Sequence, residues 1–349
     1  MAIRRFFIGP AIASIFMIGI WLLGSVPQVM AETSTEAFSV AADRAGTPAQ
    51  VGTTLPPDFP VIKNYYLGVP VIGFGSHEGR VRHVPIIFLH GNNDTPFPTT
   101  CNLSNGKIQN AAQYFLDNGY SPKELWGLGY QGDQCDRVTD QTKRSGIAHS
   151  TAAAVPALRS FVRAVLKYTH AKRVDIIAHS LGVTVAREWM LQDQAYDKVR
   201  ALVAVDGPNH GIISCSPSPL NFYNQPAFGG FTPNSSVCEE YGSDHTPFLL
   251  TLNSAGETPG PTHYLVIRNV GPDFVYSPEQ DGLLPGVPAM DRDGEPHDFS
   301  DSALLAGATT IDLTGQGQYD ETLGTSHLGI LNSPDMWQAA FDFITALHR

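Results

Sequence analysis

Residues 174–184 read Val174-Asp175-Ile176-Ile177-Ala178-His179-Ser180-Leu181-Gly182-Val183-Thr184, and the alternation of apolar, small and polar residues here decides the fold. Val174 to Ala178 is an apolar run of the length of a buried strand. From Leu181 to Leu191 the pattern turns helical and includes Val183, Arg187, Trp189 and Met190. Ser180 stands at the junction, with Ala178 two residues before it and Gly182 two residues after. A strand-to-helix turn this sharp brings the flanking backbone so close that only Gly or Ala fits two positions away from the serine. The turn lifts the hydroxyl above the sheet and aims the first amides of the helix at it. The usual spacing is Gly-x-Ser-x-Gly, and Ala178 in place of the first glycine adds only one methyl. The ordinary alternative is a serine that merely caps a helix. The apolar run before Ser180 and a His-Gly pair upstream favour the strained turn.

That upstream pair closes another apolar run, Pro85 to Leu89, which is followed by His90-Gly91-Asn92-Asn93-Asp94. In a parallel sheet, ligands gather beyond the carboxyl ends of the strands. Gly91 allows the backbone to turn tightly there, and the amide of Asn92 is placed to donate to a developing oxyanion. The second donor is the amide of Leu181, the residue after the serine. His90 reads as a structural residue of this loop. Asp94 as a metal ligand is the alternative use of the loop, but no partner ligands lie near it in sequence.

A serine nucleophile needs a base. His327, in Gly324-Thr325-Ser326-His327-Leu328-Gly329, follows the last expected strand and precedes the final helix, which satisfies the chain order Ser, acid, His. His179 adjoins Ser180, but the turn geometry directs it elsewhere. His210, His245, His263 and His297 read as solvated or locally bonded loop residues. Asp273 is the preferred acid, a short loop after the expected strand Tyr264–Arg268. Asp281, in Gln-Asp-Gly-Leu-Leu-Pro, and Asp206, directly after Ala201–Val205, are the alternatives. For each of the three, the plain reading is a turn-forming aspartate.

Around these motifs the chain alternates strand and helix. Strands are expected at Val69–Phe74, Val81–Leu89, Leu125–Tyr130, Val174–Ala178, Ala201–Val205, Tyr264–Arg268 and Thr310–Leu313. Helices are expected at Lys107–Leu116, Thr151–Tyr168 (with Pro156 as a kink in its second turn), Leu181–Leu191 and Pro334–Leu347. The pattern implies an α/β fold, a mostly parallel sheet with helices on both faces. Residues 61–349 form the catalytic domain in this reading, and 32–60, rich in Ala, Thr, Pro and Ser, form a linker or loosely packed arm. Residues 207–255 interrupt the rhythm as a lid or cap insertion. Its rings Phe222, Tyr223, Phe228 and Phe231 either line an acyl-binding surface or pack the insertion's own small core.

The 349 residues carry a net charge of −11 with scattered Lys and Arg, which argues against a nucleic-acid partner. Residues 1–31 read as a signal peptide: Arg4 and Arg5, an apolar stretch from Phe6 to Val26, then Val29-Met30-Ala31 with cleavage after Ala31. The competing reading is an uncleaved membrane anchor. The Arg-Arg-x-Phe element is a weak hint of twin-arginine export. Export makes the four cysteines candidates for two disulfides out of three pairings. Neighbours in sequence give Cys101–Cys135 and Cys215–Cys238, each worth roughly 3–4 kcal/mol in the chain-entropy account.

Pro85-Ile-Ile-Phe-Leu-His-Gly-Asn-Asn-Asp94 together with Val174-Asp-Ile-Ile-Ala-His-Ser-Leu-Gly-Val183 resembles the secreted α/β-hydrolase lipases of class 2. It resembles still more closely a branch of extracellular polyhydroxybutyrate depolymerases carrying Ala-His-Ser-Met-Gly, where Leu181 stands in place of Met. The resemblance is good over about 80–205, weaker over 260–345 and absent over 207–255. It implies an exported carboxylic ester hydrolase that needs no metal or organic cofactor. Ser180, His327 and Asp273 would be catalytic, with the amides of Asn92 and Leu181 as oxyanion donors. The implied substrate is an ester, met in solution or at a lipid–water interface. A polyester depolymerase is the alternative enzyme, and a non-catalytic, anchored binding protein on the same fold is the rival from another class.

Overall fold

The structure is a computed structural model that describes residues 50–101, 106–135, 151–217, 230–270, 288–313 and 326–348. The expected signal peptide 1–31, most of the expected arm, and Phe222, Tyr223 and Phe228 lie outside the described residues.

Nine strands are described: β1 (Lys63–Asn64), β2 (Val69–Pro70), β3 (Ile72–Phe74), β4 (Ile86–Leu89), β5 (Leu125–Gly129), β6 (Val174–His179), β7 (Val199–Val205), β8 (His263–Asn269) and β9 (Thr309–Leu313). The helices are α1 (Ile108–Asp117), α2 (Thr151–Thr169), α3 (Leu181–Asp193), α4 (Ser236–Tyr241), α5 (Pro247–Asn253), α6 (Ser326–Gly329) and α7 (Pro334–Ala346). Strands β3 to β9 form one sheet in the order β3-β5-β4-β6-β7-β8-β9, parallel except for β3 at one edge. β1 and β2 form a separate antiparallel pair.

Two cores clothe the sheet. Because side chains alternate along a strand, Ile87, Leu89, Ile176, Leu202 and Val266 face α2 and α3, while Ile86, Phe88, Ile177, Val203 and Leu265 face α1 and α7. Apolar residues on both faces are what a helix-covered parallel sheet requires. Pro156 lies inside an unbroken α2, where helix packing outweighs one lost backbone bond.

Three expectations change. The run Val81–Leu89 becomes a strand only at Ile86, because the amides of Arg82 and His83 donate to the Glu124 carboxylate instead of to a neighbouring strand. Val69–Phe74 divides at Val71, whose amide donates to the Ile62 carbonyl (3.0 Å), so β2 joins a hairpin and β3 joins the main sheet. In the described part of the expected arm, Phe59 is buried and stacks on Trp126 with ring centroids 5.1 Å apart. Residues 50–60 therefore pack on the sheet domain.

The insertion builds its own core from Ile212, Cys215, Phe231, Val237, Tyr241 and Leu249, joined by Leu181 from the base of α3. Phe231 thus packs the insertion, which settles its two readings in favour of the internal one. Both disulfides pair as sequence proximity suggests, Cys101–Cys135 and Cys215–Cys238.

Candidate active site

Ser180 has φ 53° and ψ −131°, a backbone conformation that a residue with a Cβ holds only when its surroundings force it. The Ser180 amide donates to the Val205 carbonyl at 2.9 Å, and its own carbonyl accepts the first turn of α3 through Val183 N at 2.9 Å. Gly182 abuts strand β4: a Cβ there would lie 2.7 Å from the His90 carbonyl oxygen. The sharp turn therefore requires a residue without a side chain at Gly182.

The His90–Asp94 loop closes over this turn. A Cβ on Gly91 would meet the Ser180 Cβ at 2.7 Å and its Oγ at 3.2 Å, so the loop backbone lies directly against the serine. The loop is held from below. Tyr130 donates its hydroxyl to the His90 carbonyl at 2.7 Å and stacks on the His90 ring, with centroids 4.3 Å apart. Burial pushes the Tyr130 hydroxyl up, so it stays a proton donor. Asp94 Oδ1 accepts from Thr95 N at 2.7 Å and from Gly106 N at 2.6 Å. Asp94 thus works as a loop anchor. Asn93 carries positive φ (55°) within the same turn.

His327 arrives from the far end of the chain, in α6. It is 5% exposed, and Ser180 is 6% exposed. Its ring packs on that of His179 with centroids 4.7 Å apart, and its carbonyl lies 2.8 Å from His179 Nε2. A carbonyl only accepts, so His179 carries its proton on Nε2. Burial, then the neighbouring His327, hold the His179 pKa well below the ordinary imidazole range, so it stays neutral. The Nε2 proton of His179 is committed to the segment bearing His327.

The three candidate acids differ in what can be said of them. Asp273 and Asp281 lie outside the described residues, on the chain that follows β8. Asp206 is fully buried at the end of β7 with φ 46°, and its Oδ1 accepts from the Asn269 amide at 2.8 Å. Leu181 is the first residue of α3, which places its amide at the open end of that helix beside Ser180.

Sequence reasoning missed Tyr130 and the His179–His327 contact. Both strand ends are legible in the sequence, but the parallel pairing of β5 and β4, with Leu128 opposite Leu89, is what brings Tyr130 beside His90, and the fold alone sets that register. The His179 contact spans 148 residues and carries no local signal.

A strained serine between the carboxyl end of a central parallel strand and a helix, on a sheet of this order, defines the α/β-hydrolase fold. The sequence profile of the family Lipase (class 2) matches residues 83–276, more than half of the chain. The chain belongs to the class 2 lipases, a family of carboxylic ester hydrolases. No curated protein matches it in sequence. Among solved structures it is similar to Aspergillus fumigatus lipase B at 15% identity and a TM-score of 0.47, covering 78% of this chain and 54% of that one. It is likewise similar to DBJA in a mutant form, at 12% identity and a TM-score of 0.50, covering 86% and 99%. A third is Bacillus licheniformis lipase BlEst2 in its mature form, at 15% identity and a TM-score of 0.40, covering 81% and 98%. The chain spans about half the length of the Aspergillus lipase.

Proposed function

We propose that the protein is an exported serine esterase or lipase acting through an acyl-enzyme. Ser180 attacks the ester carbonyl, His327 takes its proton and later activates the hydrolytic water, and Asp273 orients the imidazole. The amides of Asn92 and Leu181 receive the oxyanion. Loss of one such donor typically reduces turnover by about 10²–10³. The observation that carries the reading is the left-handed backbone of Ser180, packed against Gly91 and lying next to the residue on which His327 rests. A binding protein has no use for that strain.

A fluorophosphonate probe tests this directly. Stoichiometric labelling that disappears in Ser180→Ala supports the reading, and an unlabelled wild-type protein returns the chain to the binding class. Asn substitutions at Asp273, Asp281 and Asp206 identify the acid, whose loss lowers kcat by about 10⁴. The finer alternative, polyester depolymerisation, rests on the Ala-His-Ser elbow. Clearing of a polyhydroxybutyrate emulsion, set against hydrolysis of p-nitrophenyl esters of graded length, separates it from a lipid or short-ester hydrolase. Export predicts a mature N-terminus at Glu32, read by mass spectrometry.

A further inference from the structure

Outside the nucleophile region, the end of α4 and the loop 290–296 bring together three side chains that are far apart in sequence. One ligating atom each from His245, Asp291 and Asp293 fall within 4.8 Å of one another. The three are not a patch of surface acids, because Asp291 is 1% exposed. Its Oδ1 accepts from the amides of Asp293 (2.9 Å) and Glu295 (3.0 Å), and its own amide donates to the Glu295 carbonyl at 2.9 Å. The loop is thus wound around this carboxylate and fixes its direction. Among the described residues the nearest polar partner of Oδ2 is His245 Nε2, at 3.9 Å.

The imidazole is oriented as firmly. Nδ1 of His245 lies 3.0 Å from Asp244 Oδ1 and 2.7 Å from Ser243 Oγ. A carboxylate only accepts, so Nδ1 carries a ring proton, and Nε2 is the nitrogen left to face Asp291. Nε2 and the Asp291 Oδ2 stand 3.9 Å apart, too far for a hydrogen bond. That gap suits a shared cation: two ligands each about 2.0–2.1 Å from one ion stand no more than about 4.2 Å apart. A carboxylate behind a ligating imidazole is the usual support of such a ligand. Asp293, 60% exposed, lies 3.7 Å from Arg292 Nε through Oδ1 and would exchange that loose ion pair for the ion.

From this geometry we infer that His245, Asp291 and Asp293 form a binding site for a divalent cation of the zinc class. One imidazole nitrogen with two carboxylates favours zinc over calcium or magnesium, which prefer all-oxygen sets. The ion would tie the end of the cap, residues 243–245, to the 291–293 loop. Arg292 already bridges the same two segments, with its amide on the Gly242 carbonyl (2.9 Å) and Nη1 on the Cys238 carbonyl (3.0 Å). The site is independent of the proposed hydrolytic chemistry.

Calorimetric titration of chelator-stripped full-length protein with zinc, calcium and magnesium chloride tests the inference, with metal content measured after dialysis. One zinc per chain is expected, with affinity reduced at least tenfold in His245→Ala and in Asp293→Asn, and weaker binding of calcium and magnesium. Both side chains are exposed, so these variants fold, whereas Asp291→Asn perturbs a buried loop and serves only as a supplement. Zinc at about a hundred times its dissociation constant should raise Tm by about 5 °C in wild type, and not in His245→Ala. No zinc binding up to millimolar concentration, or zinc binding undiminished in His245→Ala, overturns the site. Calcium bound more tightly than zinc also overturns it.

Discussion

The two ends of the sheet are built on opposite principles. At the carboxyl end, three neighbouring strands run into non-glycine residues with positive φ: Asn93 after β4 (55°), Ser180 after β6 (53°) and Asp206 after β7 (46°). At the amino end His170 (57°) and Gln194 (50°) also carry positive φ, but in the turns four and five residues ahead of β6 and β7, and the strand starts themselves are pinned by buried charged side chains. Arg200 at the start of β7 grips the buried Asp175 of β6 through Nε (2.9 Å) and Nη2 (2.5 Å). Glu124, ahead of β5, accepts the amides of His83 (2.6 Å) and Ser121 (2.7 Å) as well as that of Arg82. Burial raises the pKa of Glu124, but those amides outweigh it and hold the carboxyl below the ordinary range. One end stores conformational strain, of order 1–3 kcal/mol per residue, and the other fixes the strand starts firmly enough to sustain it.

Ser180→Ala tests the strained end most severely. Turnover of a p-nitrophenyl ester should fall by about 10⁴-fold or more, while the thermal midpoint holds or rises. Retained activity would dissolve the contrast, because the strain would then serve nothing.

Asp175→Asn should do the reverse at the other end. It strands the Arg200 charge and lowers stability by about 3–5 kcal/mol, read from urea midpoints, with turnover per folded molecule unchanged. A loss of activity per titrated site would mean that the two ends are coupled.

Gly91→Ala sits between these extremes. The new methyl meets the Ser180 Cβ at 2.7 Å, so a stability loss of about 1–3 kcal/mol should accompany a turnover loss of about 10²-fold from displacement of the loop.

The smallest effect concerns the cap. Glu240 on α4 accepts from Thr151 N (3.0 Å) and Oγ1 (2.9 Å), and burial pushes its carboxyl up to about 7. The folded state then holds a proton that the unfolded chain releases near its ordinary value. This contribution to stability is complete below about pH 4.5 and is lost as pH rises through 7. Urea midpoints should fall between pH 5 and 8 by the equivalent of about 1–2 kcal/mol, and Glu240→Gln should flatten that slope.

Much of the frame was legible in the sequence, because each piece is encoded within a few residues. The strand–Ser180–helix junction needs only an apolar run, small residues two positions away and a helical period. The His90–Asp94 loop is a strand end followed by a glycine. Both disulfides join cysteines that are close in sequence. The differences also have local causes: Val81–Leu89 has the pattern of one strand, and an apolar pattern does not reveal that a distant Glu124 captures the first amides. Phe59 looked like part of a loose arm because its partner, Trp126, is 67 residues away.

By itself, the sequence determined which segments become strand or helix, where the backbone must turn sharply, and that a serine occupies that turn, since periodicity and side-chain size act over a few residues. Only the tertiary structure decided that His179 would cradle the His327 segment, that Tyr130 would brace His90, and that His245 would face Asp291. Those pairings follow from parallel strand register and from loops folding back over the sheet. Contacts across tens to hundreds of residues leave no period for a single sequence to display.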